Sequence, residues 1–146
     1  MHGQLYLHIN IIVKMMLKRH WESQQRLLNL LKERLREILS SINAQDLIEP
    51  LESFLEKLIA EFKPLRVIIV GSLAKRKFIR GLSDIDILVV VNYEVPRDKR
   101  FILTSLRDVD VEITIVSRHE LEKALEEDRE FYVDAIKYGV TVFSSE

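Results

Sequence analysis

Residues 70–91 read VGSLAKRKFIRGLSDIDILVVV. From Ile87 onward the run is apolar without a break, as a fully buried strand requires. Yet two carboxylates, Asp84 and Asp86, stand one isoleucine apart at its mouth. Residues two apart on a strand share a face, so both acids point the same way, about 7 Å apart at a rise of roughly 3.3 Å per residue. Upstream, eleven residues separate Ser72 from Asp84. That length is marginal for a parallel crossover and comfortable for an antiparallel return through one short helix. The end of a strand at 66–71 (RVIIVG) therefore meets the start of the strand at 84–91.

Working outward, residues 109–116 (VDVEITIV) read as a third strand with the same device. Asp110 and Glu112 take one face, and Val111, Ile113 and Ile115 the other. A helical segment expected over 97–108 lets this strand run parallel to 84–91, which brings its acids beside the first pair. Three or four carboxylates then converge. Residues 140–143 read as a fourth strand. One long helix is expected from Ser117, whose side chain with Glu120 forms an S-x-x-E capping box, to Gly139, a C-terminal stop.

The first third of the chain is helical in pattern. Within 46–63, Asp46 or Glu49 sits near the start, Pro50 fits the first turn, and Leu51, Phe54, Leu55, Leu58 and Phe62 share a face before Pro64. Residues 18–42 carry Trp21, Leu28, Leu31, Leu35, Ile38 and Ile42 at spacings of three, four and seven. Core packing explains such a stripe; docking on a partner or on a second copy of the chain, a homo-oligomer through the N-terminal helix, explains it too. In residues 1–16 the alternation of Leu5, Leu7, Ile9, Ile11 and Val13 admits an added edge strand. A dispensable leader ahead of a start at Met15 or Met16 is the competing reading. The expected division is an N-terminal extension and helix at 1–45 and a main domain at 46–146.

Composition limits the function classes. A chain of 146 residues fits one domain with a core of its own. A net charge of -1 provides no general field for holding duplex nucleic acid. The absence of cysteine removes disulfides and thiolate zinc sites and points to a reducing, cytoplasmic setting. His2, His8 and His20 have no ligand spacing to one another, and His119 falls in the first turn of a helix as an exposed residue. The apolar N-terminal stretch is broken by His8 and Asn10, lacks a basic leader and a cleavage site, and falls short of the roughly 20 residues a bilayer span needs. Neither a signal peptide nor a membrane anchor is expected.

Clustered carboxylates in a half-buried site push one another's pKa up or recruit a cation. Oxygen ligands without sulfur or histidine favour magnesium or manganese, and magnesium prefers one or two carboxylates plus phosphate oxygens. Gly71 lets backbone come close, Ser72 offers a hydroxyl, and the helix after it presents free amides to an anion. Lys75, Arg76, Lys77 and Arg80 add local positive charge. Each has a plainer reading as well: Ser72 as a helix cap, the basic residues as a solvated face, Tyr132 and Tyr138 as packing.

Taken together, Gly71-Ser72, the eleven-residue gap, Asp84-Ile85-Asp86 and an acid on a later strand resemble the nucleotidyltransferase superfamily related to DNA polymerase beta. More narrowly they are similar to the minimal nucleotidyltransferases of archaea and bacteria. The resemblance covers roughly residues 51–143 and leaves the N-terminal third outside. It implies an α+β fold, a palm-like mixed sheet flanked by helices, that transfers a nucleoside monophosphate from a nucleoside triphosphate, ATP foremost, to a hydroxyl. By position, Gly71 and Ser72 would hold the triphosphate, with Lys75 or Arg76 replacing an arginine that minimal members often carry where this chain has Leu73. Asp84 and Asp86 would bind two Mg2+ ions, or Mn2+. The third acid is Glu112, which aligns best, or Asp110, whose residue type is commoner in the superfamily. The resemblance also implies a partner, a small helical HEPN-type toxin, with AMP attached to one of its tyrosines or the toxin neutralised by complex formation alone.

Overall fold

The computed structural model describes the backbone of residues 2–146 and all their side chains except those of His2 and Leu5. Met1, the first residue of the segment considered for an edge strand, lies outside the described residues. From His2 onward that segment is helical: α1 runs unbroken over His2–Ser41. The edge-strand expectation is therefore corrected. Alternation in residues 5–13 was read over too short a window, and helix formation is cooperative, so the segment propagates the strong helical pattern downstream of it. The lower half of α1 belongs to the core, with Leu31, Leu35 and Leu39 fully buried.

A turn of 3-10 helix at Gln45–Leu47 leads into α2, Ile48–Phe62. Leu51, Leu55, Leu58 and Ile59 are its buried stripe, spaced as one face of a 3.6-residue period demands. Lys63 adopts a left-handed conformation and returns its N–H to the Ile59 carbonyl at 2.9 Å, which closes the helix before Pro64.

Five strands make one mixed sheet. They are β1, Arg66–Val70, β2, Ile85–Val91, β3, Phe101–Leu106, β4, Val109–Ser117, and β5, Val140–Ser144, in the order β3-β4-β2-β1-β5. β1 and β2 are antiparallel, as the short return predicts; β2 and β4 are parallel, as expected, although the connection between them is not the helix on which that expectation rested. Helices α1 and α2 cover the face carrying Val67, Ile69, Ile87 and Val89. The other face, with Ile68, Val70, Leu88 and Val90, is covered by α4, Arg118–Glu126, and α5, Glu130–Tyr138. Between β1 and β2, α3 is a single turn, Gly71–Ala74.

Two further expectations are corrected. Residues 97–108 are not a helix: a 3-10 turn at Arg97–Lys99 precedes β3, which forms a hairpin with β4 through Arg107 and Asp108. The edge of β4 needs a hydrogen-bonding partner, and Ile102, Thr104 and Leu106 alternate inward to supply one. Nor is 117–139 one helix. Ser117 Oγ does accept from the Glu120 N–H at 3.1 Å, but the chain breaks at Asp128, which takes φ 52°, a conformation Asp tolerates. At the end of α5 Gly139 stops the helix as expected: a Cβ there would stand 2.2 Å from the Ala135 carbonyl oxygen and 2.6 Å from Ile68 Cγ2.

Candidate active site

The register of the parallel pair sets Asp86 opposite Glu112, and the register of the antiparallel pair sets Asp86 opposite Val70. One residue before the first β2–β4 pair, Ile85 and Val111, stand Asp84 and Asp110. All four acids lie towards the face covered by α4 and α5, since the alternate residues Ile85, Ile87, Val111 and Ile113 are buried in the other core. The strand alternation alone thus aims the acids at one side of the sheet.

The structure brings two of them into contact. Asp86 and Glu112 stand side by side across the β2–β4 pair and line the same cavity. Burial, then the charge and hydrogen bond of Glu112, then the charge of Asp84 push the Asp86 carboxyl up to about 6. Asp84 is partly buried at the mouth of the strand, while Asp110 is exposed beside the edge strand, opposite Ser105. Among the described residues no group of three or more His, Cys, Asp or Glu side chains is arranged to hold a metal ion. The expected convergence of three or four carboxylates is corrected to a touching pair with a third charge nearby. Asp84 and Asp110 lie on or before the ends of the paired segment, where the strands no longer hold side chains together.

The donor set still fits a hard divalent cation. Its atoms are carboxylate oxygens, the raised Asp86 pKa marks a repulsion between neighbouring acids that a cation would relieve, and two carboxylates are what magnesium takes when phosphate oxygens complete its shell. Gly71 fits as well. It takes φ 68°, and a Cβ at this position would lie 2.4 Å from Asp86 Oδ2, so the backbone bend is pressed against the carboxylate. Ser72 follows, partly buried; the cap position of α3 belongs to Val70, so the Ser72 hydroxyl does not serve as a cap.

The basic residues separate by environment. Lys75 Nζ sits 2.8 Å from Asp134 Oδ1 and 5.3 Å from the centroid of the Tyr138 ring, on the α5 side of α3. Lys75, Lys77, Tyr138 and Ala74 line a cavity of about 370 Å³ there. Arg76, with φ 59°, turns the other way and lies 3.9 Å from Glu37 of α1. Arg80 is clamped between Asp46, at 2.6 and 2.7 Å, and Asp108, at 2.6 and 3.1 Å. Its guanidinium holds both carboxyls below their usual range. Leu73, where an arginine stands in many minimal members, is 1% exposed and part of the core.

Sequence reasoning did not single out Arg129, Phe131 or Phe101, and it read Tyr132 as packing. All four line a cavity of about 320 Å³ that also contains Asp86 and Glu112. Tyr132 does pack against the second core as well. An outward aromatic at the start of an edge strand was the available signal for Phe101; the break at Asp128, which aims Arg129 at the site, had none.

No curated protein sequence matches the chain. Residues 51–145, about two thirds of the chain, match the family described as "Nucleotidyltransferase domain", and this span runs from α2 to the end of β5, including every strand and the Asp86–Glu112 pair. The match covers more than half of the chain, and the mixed sheet flanked by helices is the fold it leads one to expect; the chain belongs to the nucleotidyltransferase domain family of the polymerase beta-like superfamily.

Proposed function

We propose that this nucleotidyltransferase moves AMP from ATP to a hydroxyl of a protein partner, with magnesium as its cofactor, and that it is of the minimal, antitoxin type. The observation that carries the reading is the position of Asp86, pressed against Gly71 on one side and set in register beside Glu112 on the other. A triphosphate held at the bend would present its α-phosphorus to this pair.

Asp86 and Glu112 are the residues that would hold Mg2+, with Asp84 adding charge beside them. Bound there, the metal would supply charge neutralisation for phosphoryl transfer. The chain's own groups do the rest. The Ser72 hydroxyl donates to a phosphate oxygen, and the left-handed bend at Gly71 keeps the phosphates within reach of Asp86. Lys75 and Lys77 border the adjoining cavity and place positive charge where the released pyrophosphate would leave. Glu112 accepts the proton of the acceptor hydroxyl as its oxygen bonds to the α-phosphorus and the bond to pyrophosphate breaks. Catalysis of this kind is mostly positioning and charge compensation.

A second reading, neutralisation of a HEPN-type toxin by complex formation without transfer, is favoured by α1. Tyr6, Leu7, Ile12, Met16, Leu17 and Trp21 are each more than half exposed, on a helix that projects beyond the core, and such surface implies a covering partner. A helical partner or a second copy of the chain would serve. No helix among the described residues is long and apolar enough to cross a membrane.

The deciding experiment incubates the protein with α-labelled ATP, Mg2+ and the product of the neighbouring gene as candidate partner. Label on that partner with the wild type, and none with Asp86→Asn, supports transfer. Stable complex formation and neutralisation unchanged by Asp86→Asn, with no label, supports the second reading.

A further inference from the structure

The core-facing stripe of α1 continues past the point where the domain ends. Leu31 and Leu35 are fully buried, with Leu28 packed beside them, and Val13 and Leu17 stand eighteen residues before Leu31 and Leu35. Eighteen residues are five turns at about 3.6 residues per turn, so Val13 and Leu17 point the way the core residues point. Tyr6, Ile9, Val13 and Leu17 lead to Leu28 through His20 and Gln24 at the same spacings of three and four. Yet every described side chain between Gly3 and Trp21 is exposed. The outer half of α1, roughly 30 Å long at about 1.5 Å per residue, thus overhangs the domain with an apolar stripe turned towards the domain's own side.

At the root of the overhang a cavity of about 540 Å³ opens between α1, α2 and the end of β5. His20, Gln24 and Leu28 form one wall, and Glu56, Ile59 and Phe143 the other. The two polar members of the stripe therefore lie where the helix leaves the domain. Because α1 is unbroken, its own tip stays roughly 30 Å from this cavity and cannot fill it.

A second copy of the chain carries what both surfaces need. Between Tyr6 and Trp21 ten large apolar side chains are 45–73% exposed. They present on the order of 1,000 Å², the scale of the roughly 800 Å² that each partner of a stable complex buries. Charge agrees as well: residues 2–21 contain Lys14, Lys18 and Arg19 and no acid, whereas α2 carries Glu49, Glu52, Glu56 and Glu61 against Lys57. A lipid surface fits less well, since a bilayer laid along the stripe would run into the domain on that same side.

We propose that two copies of the chain pair through antiparallel α1 helices about a two-fold axis near Leu17, the tip of each seated in the cavity of the other. Such a contact is isologous and closes on itself. With Leu17 on the axis, Tyr6 of one copy is level with Leu28 of the second copy, and Asn10 with Gln24. Tyr6 then brings an apolar ring to Leu28 and Ile59 and a hydroxyl to the polar rim. The cavity reaches Pro64, before the start of β1, while Asp86 pairs with Val70 at its end. Pairing therefore leaves the acid pair at the far end of the strand, and the proposal does not depend on the transfer reading.

The chain has no cysteine, which permits a direct test with Tyr6→Cys in one sample of the full chain and Ala60→Cys in another. Ala60 lines the cavity and is exposed. Mixed with oxidised glutathione, the two variants should form a disulfide-linked heterodimer in preference to either homodimer, because a disulfide spans Cα atoms only about 4.4–6.8 Å apart. Sedimentation velocity of the wild type at tens of micromolar should give twice the chain mass of 17.2 kDa. Val13→Glu with Leu17→Glu should raise the dissociation constant by about 100-fold or more. Both positions are exposed, so far-UV circular dichroism should match the wild type. A wild type that sediments as one chain, a dimer indifferent to the double substitution, or a dimer that never forms the mixed disulfide would overturn the proposal. So would a chain that stays monomeric in solution and binds phosphatidylserine vesicles through α1, or one that associates only with the product of the neighbouring gene.

Discussion

Gly71 and Asp86 are in contact across the β1–β2 pair, and the space a methyl group would need at Gly71 is taken by the Asp86 carboxylate, 2.4 Å from the ideal Cβ position. The bend and the acid therefore form one unit. Gly71→Ala combines that clash with an unfavourable φ of 68°, and should destabilise the protein by about 1–3 kcal/mol. Displacing Asp86 should cost on the order of 100-fold in kcat. Thermal melts and steady-state turnover check both effects, and an alanine variant with wild-type turnover would contradict the contact.

Asp86→Asn should separate stability from activity. Burial and the neighbouring acids disfavour the Asp86 carboxylate, so a neutral amide of the same shape should leave the metal-free fold as stable or raise it by about 1 kcal/mol, after discounting for the partial exposure of the group. Turnover should fall by on the order of 10³-fold, since the site loses a ligand oxygen and its charge. Denaturant melts in chelator, beside activity in Mg2+, would reveal the opposite signs.

The same shift gives a pH dependence. The folded protein holds the Asp86 proton up to about 6, whereas the unfolded chain releases it near 3.8. This contribution favours the fold fully below about pH 4 and is lost as pH rises through about 6. In chelator, Tm should therefore lose this increment between those values, and Mg2+ should raise Tm more at pH 7.5 than at pH 5. Asp46 and Asp108, depressed by Arg80, act with the opposite sign and withdraw their support only as pH falls below the ordinary carboxylate range. Equal Mg2+ effects at the two pH values would argue against the acid pair as the cation site.

Leu73 should behave as a core residue despite its place in the glycine-serine turn. It is 1% exposed among α1 and sheet side chains, so Leu73→Ala should cost about 2–5 kcal/mol. Leu73→Arg, which restores the residue type of many minimal members, should fold poorly rather than bind phosphate better, because the charge would enter the core unpaired. Improved ATP affinity in a well-folded Leu73→Arg protein would contradict this placement.

The outer half of α1 should matter to association and not to folding. Ile12 and Met16 are 54% and 64% exposed on one face of the helix, so Ile12→Glu with Met16→Glu should change stability by no more than about 0.5 kcal/mol per site. Light scattering or sedimentation with the partner, or of the chain alone, should show weaker association. Unchanged mass in both settings would remove α1 from the interface.

The acidic strand mouth was legible because period-two alternation and the interval from Ser72 to Asp84 act through backbone geometry that sequence displays directly; the parallel pairing of β4 was reached through a helical connection that the chain does not form. The Ser117 cap and the Gly139 stop were legible for the same local reason. What was hidden depended on partners distant in sequence. β3 exists because β4 has an open edge, and its turn, Arg107-Asp108, lacks the glycine or asparagine that usually marks a two-residue hairpin. The break at Asp128 has no glycine or proline to announce it, so the approach of Arg129 and Phe131 to Asp86 could not be foreseen. The paired states of Lys75, Arg76 and Arg80 were likewise set by Asp134, Glu37, Asp46 and Asp108 across the fold.

The most direct measurement is pyrophosphate release from ATP by the wild type, Asp86→Asn and Glu112→Gln, each with and without Mg2+ and in the presence of the helical partner. The account predicts release by the wild type with Mg2+ alone, and loss on the order of 10³-fold in either variant whose fold is intact by its melting curve. Release that survives both substitutions, or a wild type that never releases pyrophosphate while still binding its partner, would contradict it.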